Sequence, residues 1–154
     1  MTTNNEHLID LPNFGAPEAD PSWRKNSRCF GSDPETFYPS KGGNVAKAKL
    51  TCFGCPVRKR CHEFAMEHHM RYGIFGGFSE PDRKQIRAGH MSDVLTLKDV
   101  LHYAFYDVTN SYPRKDDKRW RQFKPAIIKS ASRSLSVPVT TIRDNFDFAD
   151  DYVI

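Results

Sequence analysis

The sequence has no run of about 18 consecutive apolar residues, the least that a membrane-spanning helix needs. Its first residues also lack a basic segment followed by an apolar stretch, so neither a membrane span nor a secretory leader is expected. The chain reads as a soluble, cytoplasmic protein with no membrane partner. No internal repeat and no low-complexity segment is present. Catalytic signals are missing too: there is no phosphate-binding glycine loop, no thioredoxin-like strand–helix–strand pattern and no convincing set of nucleophile, base and orienting residue. An enzyme is therefore not expected. Apolar residues make up only 38% of the 154 positions. A first domain of about 70 residues at that content would bury too little apolar surface to be stable without a cross-link. Cysteine is scarce, with 4 in the chain.

Those four supply the cross-link. Cys29, Cys52, Cys55 and Cys61 are spaced C-x22-C-x2-C-x5-C, with no thiol left over. The two-residue gap between Cys52 and Cys55 places two sulfurs in one small volume, with Gly54 relieving crowding in the turn. Pro56 has a φ suited to a first helical turn, and Cys61 falls inside the helix it opens. Cys29 comes from a separate segment, so binding a metal or cluster here closes a loop between two elements. Without a secretory leader, metal or redox chemistry is favoured over resting disulfides. Spacing alone leaves tetrahedral zinc and an iron–sulfur cluster both open, because each takes four thiolates.

The surrounding residues add a resemblance. Trp23-Arg24 precedes Cys29, and Asp33-Pro-Glu-Thr-Phe37-Tyr-Pro39 follows it. Next come Cys52-x2-Cys55-Pro-Val-Arg, then Cys61 with Glu63 and Ala65, and then Gly73-Ile-Phe-Gly-Gly77. In this order, over residues 23–87, they resemble the WhiB-like family of actinobacteria and their phages. The resemblance implies one [4Fe-4S] cluster on Cys29, Cys52, Cys55 and Cys61, and a transcriptional regulator that responds to redox state or nitric oxide. It also implies contact with the C-terminal region of the primary sigma factor, and so with RNA polymerase, through Trp23, Ile74, Phe75, Gly76 and Gly77. Phe75 stands where the family's glycine-framed turn carries tryptophan. Two competing readings remain: a protein disulfide reductase using the cluster-free Cys52/Cys55 dithiol, and a structural zinc module that binds another protein.

The expected fold is all-α, a small helical iron–sulfur domain followed by a helical module with a helix-turn-helix-like motif. Residues 1–20 are expected to be a disordered lead, 21–90 the cluster domain, 93–147 the helical module and 148–154 an acidic tail. Pro21 and Ser22 offer a start signal for a short helix through Cys29, and Asp33 a cap for Pro34 to Phe37. Residues 44–50 are helix-forming and deliver Cys52. A helix from Pro56 to about Met70 should turn Val57, Cys61, Phe64 and Ala65 to one face. Arg58, Lys59, Arg60, Glu63 and Glu67 should take the other, with His62, His68 and His69 exposed. Ser79 and Asp82 mark a capping box for a helix ending near Gly89, with Arg83, Lys84 and Arg87 facing solvent or a partner. The next helical pattern, Asp93 to Val108, carries Leu97, Val100, Leu101, Ala104 and Phe105 as core.

The net charge is +4, but both ends are acidic and the basic residues gather between Tyr112 and Arg143. Arg114, Lys115, Arg119, Arg121, Lys124 and Arg133, interleaved with Trp120 and Phe123, suggest phosphate contacts with promoter DNA. Ile128 to Arg143 then resembles the helix-turn-helix pattern, with a plain αα-hairpin as the competing reading. Ser132 is the small residue at the crossing, Leu135, Val137 and Ile142 lock the two helices, and Pro138 opens the second. Val139, Thr140 and Arg143 are left facing DNA. Ser136 in place of glycine, and Asp144 near phosphate, depart from the pattern.

Overall fold

The computed structural model describes residues 21–40 and 43–154. The expected disordered lead, 1–20, lies outside the described residues. The architecture is all-α, as expected. Seven α-helices are described: α1 (Ala46–Phe53), α2 (Arg58–Glu67), α3 (Glu80–Arg87), α4 (Leu97–Thr109), α5 (Arg119–Gln122), α6 (Lys124–Leu135) and α7 (Val139–Asp144). Short 3-10 turns cover Pro21–Asn26, Pro34–Phe37 and Phe146–Phe148. Only the first departs from the helix expected through Cys29: it stops at Asn26, and hydrogen-bonded turns carry the chain on to Ser32.

Local chemistry sets the boundaries. Asp33 accepts from the N–H of Glu35 at 3.0 Å and so starts its turn. Ser79 and Asp82 satisfy each other's backbone N–H groups at the start of α3, and Thr96 and Asp99 do the same for α4. Asn110 ends α4 and Ser136 ends α6, both with left-handed backbone, φ 57° and 55°. Asparagine tolerates that conformation well. Serine adopts it here where the two helices meet, with the Ser132 hydroxyl donating to the Val137 carbonyl at 2.5 Å.

The main core joins the two halves of the chain. Leu50 and Phe53 of α1 and Phe78 pack with Leu97, Val100, Leu101, Ala104 and Phe105 of α4, as well as Ile127, Ile128, Ala131 and Ile142. All five core positions expected on α4 are buried. Truncating a buried Leu or Ile here should cost about 2–5 kcal/mol. A smaller cluster packs Cys52 with Phe37, Ala48 and Ile74. The chain's last residues lie along the start of α4, with Leu97 N–H donating to Tyr152 O at 2.8 Å and Ile154 N–H to Leu95 O at 3.0 Å.

Three polar positions depart from the sequence reading. Arg83, expected to face solvent or a partner, is 0% exposed. Arg58 and His62, expected on the polar face of α2, are both 7% exposed. The glycine turn 73–78 covers His62 and Arg83, while Arg58 reaches the chain's last residues, its guanidinium donating to the Ile154 carbonyl at 3.2 Å. His62 packs on the Phe78 ring at 4.4 Å and points Nε2 toward Asp93 at 3.7 Å. His68 is half-buried against Phe64, and His69 is exposed as expected.

Candidate functional site

Cys52 occupies the last turn of α1, and its carbonyl accepts the N–H of Cys55 at 2.9 Å, closing the knuckle. Cys61 sits one turn into α2, its N–H donating to Val57 O at 2.9 Å. Cys29 comes from the turn after the first 3-10 segment and is the exposed thiol of the set; Cys52 is buried and the other two are intermediate. All four line one cavity of about 350 Å3, with Trp23, Phe30, Phe37, Phe64, Ile74 and Phe75 supplying apolar walls. Among the described residues no group of three or more His, Cys, Asp or Glu side chains is gathered as a site for a single metal ion.

The glycine turn completes the cavity. Gly76 and Gly77 have φ of 60° and 88°. A Cβ on Gly76 would stand 2.7 Å from the His62 Cβ, and one on Gly77 2.9 Å from the Phe53 ring. This close approach brings the Gly77 N–H to the Cys52 sulfur and the Gly76 N–H to Cys61. The N–H of Arg28 reaches the Cys55 sulfur at 3.5 Å. Burial pushes the Cys52 thiol up to about 12 and the Cys61 thiol up to about 11, and neighbouring cysteines add to both shifts. Thiols so placed are poor nucleophiles near neutral pH. A bound cation would reverse that balance, because its charge compensates the thiolates that burial disfavours.

Arg83 holds the turn. Its guanidinium donates to the carbonyls of Phe78 at 2.8 Å, Gly73 at 2.9 Å, Met70 at 3.1 Å and Tyr72 at 3.3 Å. Phe75 is half-buried, edge-on to Tyr38 at 6.4 Å, with the Arg83 guanidinium 5.2 Å from its ring centre. Trp23 is half-buried against Phe64, with ring centres 5.9 Å apart. Ile74, Gly76 and Gly77 are buried. Of the residues expected at a sigma contact, Phe75 and Trp23 retain accessible surface, and Ile74 belongs to the smaller core cluster.

Across residues 23–86 the chain matches the family model described as transcription factor WhiB. It is 45% identical over 73 residues to transcriptional regulator WhiB2 of Mycobacterium tuberculosis, covering 47% of this chain and 82% of that protein. Transcriptional regulator WhiB of Streptomyces coelicolor is 42% identical over 65 residues, covering 42% of this chain and 75% of that protein. The chain belongs to the WhiB family. The WhiB match takes in the four cysteines, the glycine turn and Arg83, and ends at residue 86, before α4 begins.

Beyond the WhiB match, α6 and α7 are joined through Ser136, with Ile142 buried and Leu135 and Val137 packed against the core. Val139, Thr140 and Arg143 are exposed, and Arg143 pairs with Asp144 at 3.5 Å. Arg114, Lys115, Arg121 and Arg133 are exposed. Lys124 is half-buried, its ammonium 4.4 Å from the Phe146 ring centre. Arg119 is already engaged, donating to Asp117 at 2.6 Å and to the Ser111 hydroxyl at 2.5 Å. No helix of the described residues is long and apolar enough to cross a membrane.

Sequence reasoning missed Arg58 and Arg83 as parts of the site. One signal was available for Arg83, which lies three residues before Ile86, the single large apolar residue of α3, and so shares its inward face.

Proposed function

We propose that this WhiB-family protein is a cytoplasmic, cluster-dependent transcriptional regulator. In this reading Cys29, Cys52, Cys55 and Cys61 hold one [4Fe-4S] cluster, which responds to redox state or nitric oxide. The observation that carries the reading is the set of four thiols around one apolar cavity. A zinc ion would take the same four sulfurs, and the family resemblance is what favours the cluster. The N–H groups of Arg28, Gly76 and Gly77 would soften the charge on the sulfurs, and exposed Cys29 leaves one side open to a small oxidant.

Phe75 and Trp23, beside the cavity, are the proposed contacts with the primary sigma factor, and Ile74, Gly76 and Gly77 shape that edge from beneath. Through sigma the protein would reach RNA polymerase and promoter DNA. There Val139, Thr140 and Arg143 would face the duplex, and Arg114, Lys115, Arg121, Lys124 and Arg133 would meet phosphates. Arg119, expected among them, has its guanidinium engaged by Asp117 and the Ser111 hydroxyl. One short helix gives weak affinity alone, and tethering through sigma raises its effective concentration.

Protein purified without oxygen should be brown and carry iron and sulfide in equal amounts, and each Cys→Ser variant should lose the colour. A colourless protein with one zinc per chain would replace this reading with a structural zinc module.

A further inference from the structure

A second cavity, of about 180 Å3, lies at the junction of the Cys29 turn, α1 and α6, outside the thiol site. Its walls include Arg28, Lys47 and Arg133, the Thr51 and Ser130 hydroxyls, and the Asp107 carboxylate. Arg28 is fixed in place: its guanidinium donates to the Ser134 carbonyl, and to those of Thr51 and Arg133 at 3.4 Å each. Main-chain carbonyls orient a guanidinium without neutralising it. Lys47 and Arg133 are exposed, and their side chains make no hydrogen bond or ion pair among the described residues. Asp107 is the single acid of the lining, and it accepts from the Ser130 hydroxyl at 2.7 Å. Three cations therefore face one carboxylate.

The geometry points to a binding site for phosphate oxygens in this junction, filled by the phosphodiester backbone of nucleic acid. The assignment to nucleic acid rests on the proposed role in transcription. Arginine and lysine gathered at one cleft are the groups that take phosphate oxygens, and the Thr51 and Ser130 hydroxyls, already donating to the Lys47 carbonyl and to Asp107, only line it. Arg133 lies on α6, the helix that leads through Ser136 into α7 and its exposed Val139, Thr140 and Arg143. A phosphate held at the junction would fix the register of that helix pair without reading sequence. Arg28 also ties the site to the thiols, since its N–H meets Cys55 and it directly precedes Cys29.

The test uses the full chain, purified without oxygen, and a fluorescent DNA duplex titrated across a range of salt. In the Lys47→Ala/Arg133→Ala double variant, binding should weaken, and the slope of log K against log salt should become shallower by about two units. Asp107→Asn should tighten binding. In a second arm, inorganic phosphate should raise the melting temperature of the wild type above its value in chloride at equal ionic strength, and should not do so in the double variant. A phosphate effect lost in the double variant, with duplex affinity and slope unchanged, would overturn the nucleic-acid source and leave a site for free phosphate. If neither arm responds to the double variant, the junction site is overturned. An Arg143→Ala variant that still weakens duplex binding would then leave the transcriptional reading standing. In a third arm with fluorescent poly-glutamate, binding lost in the double variant while duplex affinity and phosphate stabilisation stay unchanged would reassign the surface to an acidic protein partner and overturn the proposal.

Discussion

The Ser134 carbonyl rests against the α-carbon of Gly54, so closely that a Cβ there would overlap it and crowd the Arg28 guanidinium. Gly54 is the residue between the knuckle cysteines Cys52 and Cys55, and Ser134 lies in the last turn of α6. The cysteine knuckle and the helix pair beyond the WhiB match are therefore in direct contact. The Ser134 hydroxyl adds to it by donating to the Leu50 carbonyl at 2.5 Å.

Gly54→Ala should force α6 away from the knuckle. The expected loss is about 1–3 kcal/mol, the range for overpacking at a site that can partly give way. Chemical denaturation of the anaerobic protein measures it. An unchanged midpoint would mean that α6 moves aside freely and that the contact contributes nothing.

Arg83→Ala should be more damaging, because it leaves four turn carbonyls without their shared donor and opens a void in a fully buried position. Loss of about 3 kcal/mol or more is expected. Arg83→Lys should recover little, since one ammonium cannot span four carbonyls arranged around a planar guanidinium. Full recovery with lysine would show that charge alone, not the geometry of the fork, secures the turn.

The contrast between α4 and α3 shows which parts of the fold could be read from sequence. Leu97, Val100, Leu101, Ala104 and Phe105 repeat at helical spacing, and their burial followed from that pattern alone. The capping pair Ser79 and Asp82 is equally local and was equally readable. Arg83, Arg58 and His62 were not, because the glycine turn covers His62 and Arg83 and the chain's last residues meet Arg58, and a helix wheel carries no information about what lies over it. The four cysteines were singled out for a different reason, their spacing and the resemblance around them, and the fold lines one cavity with all four. The contact between Gly54 and Ser134 left no trace in local sequence, since a glycine inside C-x2-C is explained by the knuckle itself.

Lys49, 4% exposed, joins three helices by donating to Asp82 at 2.5 Å and to the Tyr103 hydroxyl at 2.9 Å. Burial pushes the Asp82 carboxyl up, but Lys49 and the Ser79 hydrogen bonds outweigh it and hold the acid below its usual range. A depressed carboxyl contributes stability above its unfolded pKa of about 3.9 and loses it as pH falls through the lower, folded value. Lys49 is shifted up despite its burial, by Tyr103 and Asp82, so its share persists until strongly alkaline pH. Lys49→Met should cost about 3 kcal/mol at neutral pH, because Asp82 then stays charged without its partner. The deficit relative to wild type should narrow as pH falls below about 4, where protonation removes the unpaired charge. Urea denaturation of both proteins from neutral to acidic pH measures the difference, and a deficit independent of pH would show that the pair does not titrate with folding.

Phe75 faces two ways, and the two can be separated. Its ring lines the thiol cavity and is held by Tyr38 and Arg83, yet it keeps part of its surface free at the edge of the glycine turn. Aromatic anchors of this kind dominate interface energies, and truncating one typically costs about 2 kcal/mol or more, roughly a thirtyfold loss of affinity. Phe75→Ala should therefore abolish co-purification with the C-terminal region of the primary sigma factor while the visible absorbance of the anaerobic protein persists. Phe75→Trp, which extends the same anchor, should bind sigma at least as well as wild type. Loss of absorbance together with sigma binding in Phe75→Ala would assign the ring to the cavity wall, because a partner contact alone has no reason to disturb the chromophore. Persistence of both would remove Phe75 from the interface and leave Trp23, which lines the same cavity, as the residue to substitute next.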